Sequence, residues 1–289
     1  MATLRELRTR VASISNIQRV TNAMQMVAAA KMRRAQEAIE GARPYAQQLD
    51  RVLRRLHTSV DISHSPLLAQ RPVNKTIVVA VTSDRGLCGG FNGNLCRVAQ
   101  GELGDSAGGE SAGVITIGRK GRDFFRNRGY NVIHDHEDVF GSLVFSRAAQ
   151  IGQDLTRRFI SGEADRVTIV FSEFRSVSQQ VPVARQLLPI VPSDGEGAQE
   201  EASQDYLFEP DPGALLEELV PRHVNFQIWR ALLESNACEQ AARMTAMDNA
   251  TKNAGELIDE LTREMNKERQ ASITLELMDI IGGAEAVAQ

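Results

Sequence analysis

Phe226-Gln-Ile-Trp-Arg-Ala-Leu-Leu-Glu-Ser-Asn-Ala-Cys-Glu-Gln-Ala-Ala-Arg-Met-Thr-Ala-Met247 lies in a run that contains no proline from Arg222 to Gln289. Its apolar residues recur at helical spacing: Phe226, Leu233, Ala237, Met244, Met247, Ala254, Ile258, Leu261 and Met265. A continuous helix over that run would be about 100 Å long. A second helical run, Thr3 to Leu56, would reach about 80 Å. Helices of ordinary globular domains stop after roughly 8 to 20 residues. Two helices this long cannot be enclosed by a chain of 289 residues, so they are expected to project and reach something else.

The N-terminal run carries a seam. Alternating steps of three and four residues give Leu4, Leu7, Val11, Ile14, Gln18, Thr21, Gln25, Ala28, Met32, Ala35, Ile39, Ala42, Ala46, Leu49, Leu53 and Leu56. The only polar members, Gln18, Thr21 and Gln25, are consecutive, and next to them Ile17, Val20, Met24 and Val27 offer a stripe displaced by one residue. That pattern predicts a local phase slip in a supercoil. Beyond Arg269 the apolar phase shifts again, to Ile273, Leu277 and Ile280. Pro44 and Pro221 are the expected kinks.

Charge suggests which elements pair. Residues 1–57 hold eleven Lys/Arg against four Asp/Glu, a net of +7, and residues 205–289 hold seven against sixteen, a net of −9. A basic helix and an acidic one attract each other, so the run Lys31, Arg33, Arg34 reads most simply as a solvated face neutralised within the chain. Nucleic-acid binding calls for a basic domain with interleaved aromatics. With 5% aromatics and a pI near 5.8 that class is excluded.

The middle, Lys75 to Pro192, reads as a small α/β domain. Strand signals fall at Thr76–Thr82, Val114–Gly118, Tyr130–His134 and Val167–Phe171, with helical stretches near Asn92–Leu103, Lys120–Arg128 and Leu143–Phe159 between them. Such alternation implies a mostly parallel sheet covered by helices. Gln180–Ile190, with Pro182 and Pro189, reads as an added edge strand. Gly101–Gly113 and Ser193–Gln204 read as polar loops. The fold class is therefore α/β: a Rossmann-like domain over 58–206, with helices over 1–57 and 207–289 that pair with each other.

Catalytic motifs are sparse. Gly86-Leu-Cys-Gly-Gly-Phe-Asn-Gly93 sits where a phosphate loop would sit, yet lacks the Lys-Ser/Thr of a Walker loop and the spacing of a dinucleotide fingerprint. It is read as a tight strand-to-helix turn. His134 and His136 share a strand face among carboxylates, a weak metal pattern without a distant third ligand. Cys88, Cys96 and Cys238 form no zinc or redox spacing and are read as free thiols. No catalytic residue, metal or cofactor is expected. No apolar stretch reaches eighteen residues, and no secretory or transit segment is read at the start of the chain.

Three stretches carry a family resemblance. Ile14-Ser-Asn-Ile-Gln-Arg-Val-Thr-Asn-Ala-Met-Gln-Met-Val-Ala-Ala-Ala-Lys-Met-Arg-Arg34 resembles the N-terminal helix of the gamma subunit of bacterial F-type (rotary) ATP synthase. Thr82-Ser-Asp-Arg-Gly-Leu-Cys-Gly-Gly-Phe-Asn92 is similar to that family's first strand-to-helix turn. Ser235 to Thr251 and Lys267-Glu-Arg-Gln-Ala-Ser-Ile-Thr-Leu-Glu-Leu277 resemble its C-terminal helix.

The resemblance implies an antiparallel, asymmetric coiled coil that serves as the rotor shaft. It implies a non-catalytic subunit that couples rotation of a proton-driven membrane ring to conformational cycling of the catalytic beta subunits, for ATP synthesis and hydrolysis, and that regulates ATPase activity and proton flow. The implied partners are three alpha and three beta subunits, the epsilon subunit and the c-subunit ring, with no nucleic acid. The implied place is peripheral, on the cytoplasmic side of the bacterial inner membrane. Carried over by motif, Met24, Lys31, Arg33, Arg34, Arg269 and Gln270 would contact beta subunits. Ile273, Leu277 and Ile280 would turn in an apolar collar, and Tyr206 and Glu209, in Asp205-Tyr-Leu-Phe-Glu-Pro-Asp211, would meet the c ring. Two other classes remain: a nucleotide-dependent enzyme built on the Gly86–Gly93 turn, and a coiled-coil adaptor that does not rotate.

Overall fold

The computed structural model describes residues 3–59, 66–104, 111–190 and 212–287. The chain forms two compact units, Met1–Ala28 with Arg243–Gln289, and Ala29–Ala242. The long helices α1 (Leu4–Ser59) and α5 (Pro212–Val287) contribute to both. Neither proline ends its helix: Pro44 lies inside α1, and α5 begins at Pro212 and continues through Pro221. The C-terminal helix thus starts ten residues earlier than the proline-free run suggested. Each proline removes one backbone donor, and flanking packing compensates for that loss.

The larger unit holds a five-stranded sheet. In chain order come β1 (Thr76–Val81), α2 (Phe91–Gly104), β2 (Ser111–Ile117), α3 (Arg119–Asn127), β3 (Val132–His136), α4 (Phe145–Ile160), β4 (Arg166–Phe174) and β5 (Gln180–Leu188). The spatial order is β3-β2-β1-β4-β5. The first four strands are mutually parallel and β5 runs antiparallel to β4 at the edge. Strand β1 is flanked on both sides and every one of its residues is buried, which accounts for its unbroken β-branched run. Ile77, Val79 and Val81 face α4 and α5 through Ile151, Leu155, Phe159, Val224 and Ile228. Val78 and Ala80 face α2 and α3 through Leu95, Ala99 and Phe125. β3 begins two residues later than the sequence signal, and Ser111–Gly113, read as loop, belongs to β2. The Ser193–Gln204 stretch lies outside the described residues.

Within this unit α5 is enclosed on nearly every side. Of Ala231 to Ala241, every residue except Asn236 is buried. The Ser235 hydroxyl accepts the Ser172 N–H at 3.2 Å, and the Cys238 thiol donates to the Ser172 carbonyl at 3.4 Å. On the other side, Phe226 packs with Ala46 and Leu49, and its ring lies 4.9 Å from that of Tyr45.

The Gly86–Gly93 turn is closed by its own side chains. Asn92 accepts the Ser83 N–H at 2.9 Å, and its amide donates to the Ser83 hydroxyl at 2.8 Å and the Cys88 sulfur at 3.2 Å. Gly89 takes a left-handed φ of 55°, and so does Leu87, at 63°. The positive φ expected of a glycine is thus shared with an exposed leucine, a conformation that costs about 1 kcal/mol or more away from glycine.

Candidate functional site

The smaller unit is an antiparallel helix pair. Its N-terminal start is fixed by a capping box: the Thr3 N–H donates to Glu6 Oε2 at 2.9 Å, and the Glu6 N–H to Thr3 Oγ1 at 3.3 Å. Leu7 is 1% exposed, and Val11 and Ile14 are half-buried against the facing helix. On α5, Met247, Ala254 and Leu261 are buried.

The seam does not slip. Gln18, Thr21 and Gln25 stay in phase and turn toward α5 as polar rungs. The Thr21 and Thr251 hydroxyls are 2.7 Å apart, Gln25 Nε2 donates to Asp248 Oδ1 at 3.0 Å, and Gln18 Nε2 reaches the Thr251 carbonyl at 3.4 Å. Conversely, Ile17, Val20 and Val27, the stripe on which a phase slip was expected, are 55–57% exposed. The polar positions are half-buried in the seam, and each finds a partner there, which offsets the usual cost of burying an unpaired polar group. Gly255 leaves room for the Gln18 amide, which a Cβ there would approach to 3.1 Å. Asp248 also receives the Lys252 ammonium at 2.6 Å from its own helix; that bond, with the Gln25 amide, holds its carboxyl below the usual range.

Antiparallel pairing in this register brings Leu4, the first residue of α1, level with the Met265–Arg269 turn of α5. From Arg269 to Ile281 every residue is exposed. No shifted seam exists there, because there is no facing helix among the described residues. Ile273, Leu275, Leu277, Met278, Ile280 and Ile281 stand 50–67% exposed, over a broad arc of the helix whose remaining face carries Ser272, Glu276 and Asp279.

The residues singled out by sequence fall as follows. Arg269 and Gln270 are exposed, and Met24 is half-buried at the border of the seam. Lys31, Arg33 and Arg34, in the larger unit, are exposed, and none of the three has an ion-pair partner among the described residues. Neutralisation of this run in cis is therefore corrected: these cations face solvent. Tyr206 and Glu209 lie outside the described residues.

His134 and His136 stack edge to face at 4.5 Å. Burial and the neighbouring His134 hold His136 down to about 4, against the opposing pull of Asp154 and Asp135. Among the described residues no group of three or more His, Cys, Asp or Glu is placed to hold a metal. Cys88, Cys96 and Cys238 are buried thiols outside any disulfide, and burial pushes Cys96 up to about 11 and Cys238 to about 12. Thiols so held are poor nucleophiles at neutral pH.

Against known proteins, a family model described as ATP synthase matches residues 3–287. The ATP synthase gamma chain of Chlorobaculum parvum is 51% identical over 294 residues, covering all of both chains. That of Geobacter metallireducens is 47% identical, covering 99% of each. The chain belongs to the ATP synthase gamma-chain family.

Among solved structures, a chain of the Tetrahymena thermophila mitochondrial ATP synthase central stalk and c ring matches with a TM-score of 0.62 at 25% identity, over 80% of this chain and 99% of that one. A chain of the Euglena gracilis enzyme matches at 0.69 and 21% identity, over 98% and 94%, and supports the fold. The protein is accordingly a central rotor shaft of ATP synthase and a non-catalytic subunit of that complex. No helix among the described residues is long and apolar enough to cross a membrane.

One feature escaped sequence reading. Glu234 and Glu239, counted among the acidic charges of the C-terminal run, are each only 5% exposed. Glu234 is held by Arg230 one helical turn away, at 2.7 Å. The i,i+4 Arg–Glu spacing was the available signal.

Proposed function

We propose that the shaft couples rotation of a proton-driven c ring to conformational cycling of catalytic beta subunits through three sets of contacts. The observation that carries the reading is the run Arg269–Ile281, fully exposed, with large apolar side chains over more than half of its circumference and Ser272, Glu276 and Asp279 on the remaining face. Exposed apolar surface of that extent marks an interaction site, and an apolar arc covering more than half of the helix circumference suits an enclosing collar better than a narrow one-sided seam. Ile273, Leu277 and Ile280 would turn in such a collar of alpha and beta subunits.

Just before it, Arg269 and Gln270 would hydrogen-bond a beta-subunit loop. Met24, with the solvent-facing cations Lys31, Arg33 and Arg34, would meet an acidic beta segment. The family resemblance adds Tyr206 and Glu209 as contacts to the c ring, an epsilon subunit beside them, and a peripheral position on the cytoplasmic face of the bacterial inner membrane. A shaft drives a site through its states by contacting those states unequally.

The test is Arg269→Ala with Gln270→Ala in a reconstituted complex, following hydrolysis, proton pumping and thermal melting together. Charge-assisted hydrogen bonds contribute about 1.5–3 kcal/mol. Loss of one that differs between the resting and transition states slows turnover about ten- to a hundredfold. Undiminished turnover and pumping would remove both residues from the coupling surface. For the foot, Glu209→Lys is expected to impair coupled synthesis more than hydrolysis by the soluble sector, and equal loss in both would point to misfolding instead.

A further inference from the structure

A cavity of about 370 Å³ opens within the larger unit where α1, α5 and the turn after β4 converge. Its volume lies in the lower part of the range of small-molecule sites, about 300–1,000 Å³. We infer that it binds a small amphipathic organic anion: an aromatic or short aliphatic body carrying one carboxylate, sulfonate or phosphate head.

The apolar half of the lining is Phe174, Phe226 and Leu233, and three guanidiniums, Arg43, Arg175 and Arg230, enter from three different elements. Two carboxylates, Glu173 and Glu234, also line it, and their bonding decides the sign of the ligand. Glu234 accepts Arg230 Nε at 2.7 Å and the Phe174 N–H at 3.3 Å. Glu173 accepts Arg185 at 2.8 Å, and Arg175 only at 3.4 Å. Both acids are thus satisfied within the protein. Arg175 is held only by two long bonds, from Nε and Nη2 to one Glu173 oxygen, both at 3.4 Å, and Arg43 has no acidic partner among the described residues. The donors left over are cationic forks, whose geometry suits carboxylate and phosphate and excludes a metal cation. A bare inorganic anion would leave the apolar half unfilled. A purely apolar molecule would leave the Arg43 guanidinium without a counter-charge.

A molecule seated there would touch α1, α5 and the β4–β5 connection together, and so would stiffen the base of the helix pair in this unit. That is a regulatory input separate from the contacts proposed above.

The experiment uses the full-length chain and the probe 1-anilinonaphthalene-8-sulfonate, followed by fluorescence. The expected result is a saturable one-to-one phase, displaced by decanoate or by adenosine monophosphate but not by inorganic phosphate. Arg43 is exposed and has no ion-pair partner among the described residues, so Arg43→Glu should fold normally and weaken that phase at least tenfold, while Arg43→Lys weakens it less. Ala42→Phe, which narrows the cavity from a half-buried position, should reduce it as well with little change in melting temperature. The exposed apolar helix Ile273–Ile281 also attracts the dye, so the decisive reading is the part that depends on Arg43. A dye phase unaltered by Arg43→Glu, or one displaced equally by inorganic phosphate, would overturn the assignment.

Discussion

Helix α5 passes through two environments that share only their secondary structure. Between Ala231 and Ala241 nearly every side chain is buried, including two glutamates, whereas between Arg269 and Ile281 none is. Leucines occur in both. The difference is that the first segment has α1 on one side and a sheet on the other, and the second has no neighbour of its own chain among the described residues. Apolar composition therefore records that a partner exists, but not whether the same chain supplies it.

The largest test of this contrast is Leu232→Ala, in the enclosed segment. Leu232 is 0% exposed, and truncation there should cost about 2–5 kcal/mol, read as a lower denaturant midpoint at unchanged slope. A loss below about 1 kcal/mol would mean that the packing around this segment is loose.

Acid should act on the larger unit next. His136 is held down to about 4 from an ordinary value near 6.5. Because the folded state disfavours its protonation, its contribution is complete above about pH 6.5 and is lost as pH falls toward 4. The full effect is at most about 3 kcal/mol, and partial exposure reduces it. His136→Gln should flatten the stability-against-pH profile in that window, and an unchanged slope would assign the acid sensitivity elsewhere.

In the helix pair, changing the rung Thr21–Thr251 to Val on both sides should alter stability by no more than about 1.5 kcal/mol, because both partners leave together. Changing Thr251 alone should be worse than changing both, and a double-mutant cycle checks the sign. The smallest effect is expected at Leu277→Ser. Alone it should shift melting by under about 0.5 kcal/mol, since the side chain is already 54% exposed. A large loss in the isolated chain would show that the segment packs on its own protein after all.

The same contrast explains what could be read without coordinates. The sheet was legible because parallel strands are buried on both faces, and Thr76–Val81 shows this as an uninterrupted apolar run. The edge strand β5 was legible through Pro182. The seam of α1 was legible in period, but its polar stretch was misjudged. A one-dimensional pattern scores Gln18, Thr21 and Gln25 as breaks, whereas Thr251 and Asp248 on a distant stretch of chain make them members of the seam. The left-handed Leu87 gave no signal, since nothing in its side chain favours positive φ. The cavity beside Arg43 was invisible for a related reason: it depends on the three-way approach of Arg43, Arg175 and Arg230, which no local spacing encodes.

The polar rungs also bear on mechanical creep. Apolar seams built from alanine and methionine are nearly degenerate under sliding, because one small or pliable side chain fits the next hole about as well as its own. Thr21, Thr251, Gln25 and Asp248 are not interchangeable in this way. Displacing one helix along the other by a single turn would strand several donors and acceptors together, at about 1–3 kcal/mol each. The pair is thereby indexed like a keyed axle: sustained torque can bend it or wind it elastically, but cannot ratchet one strand past the other without passing through that unpaired state.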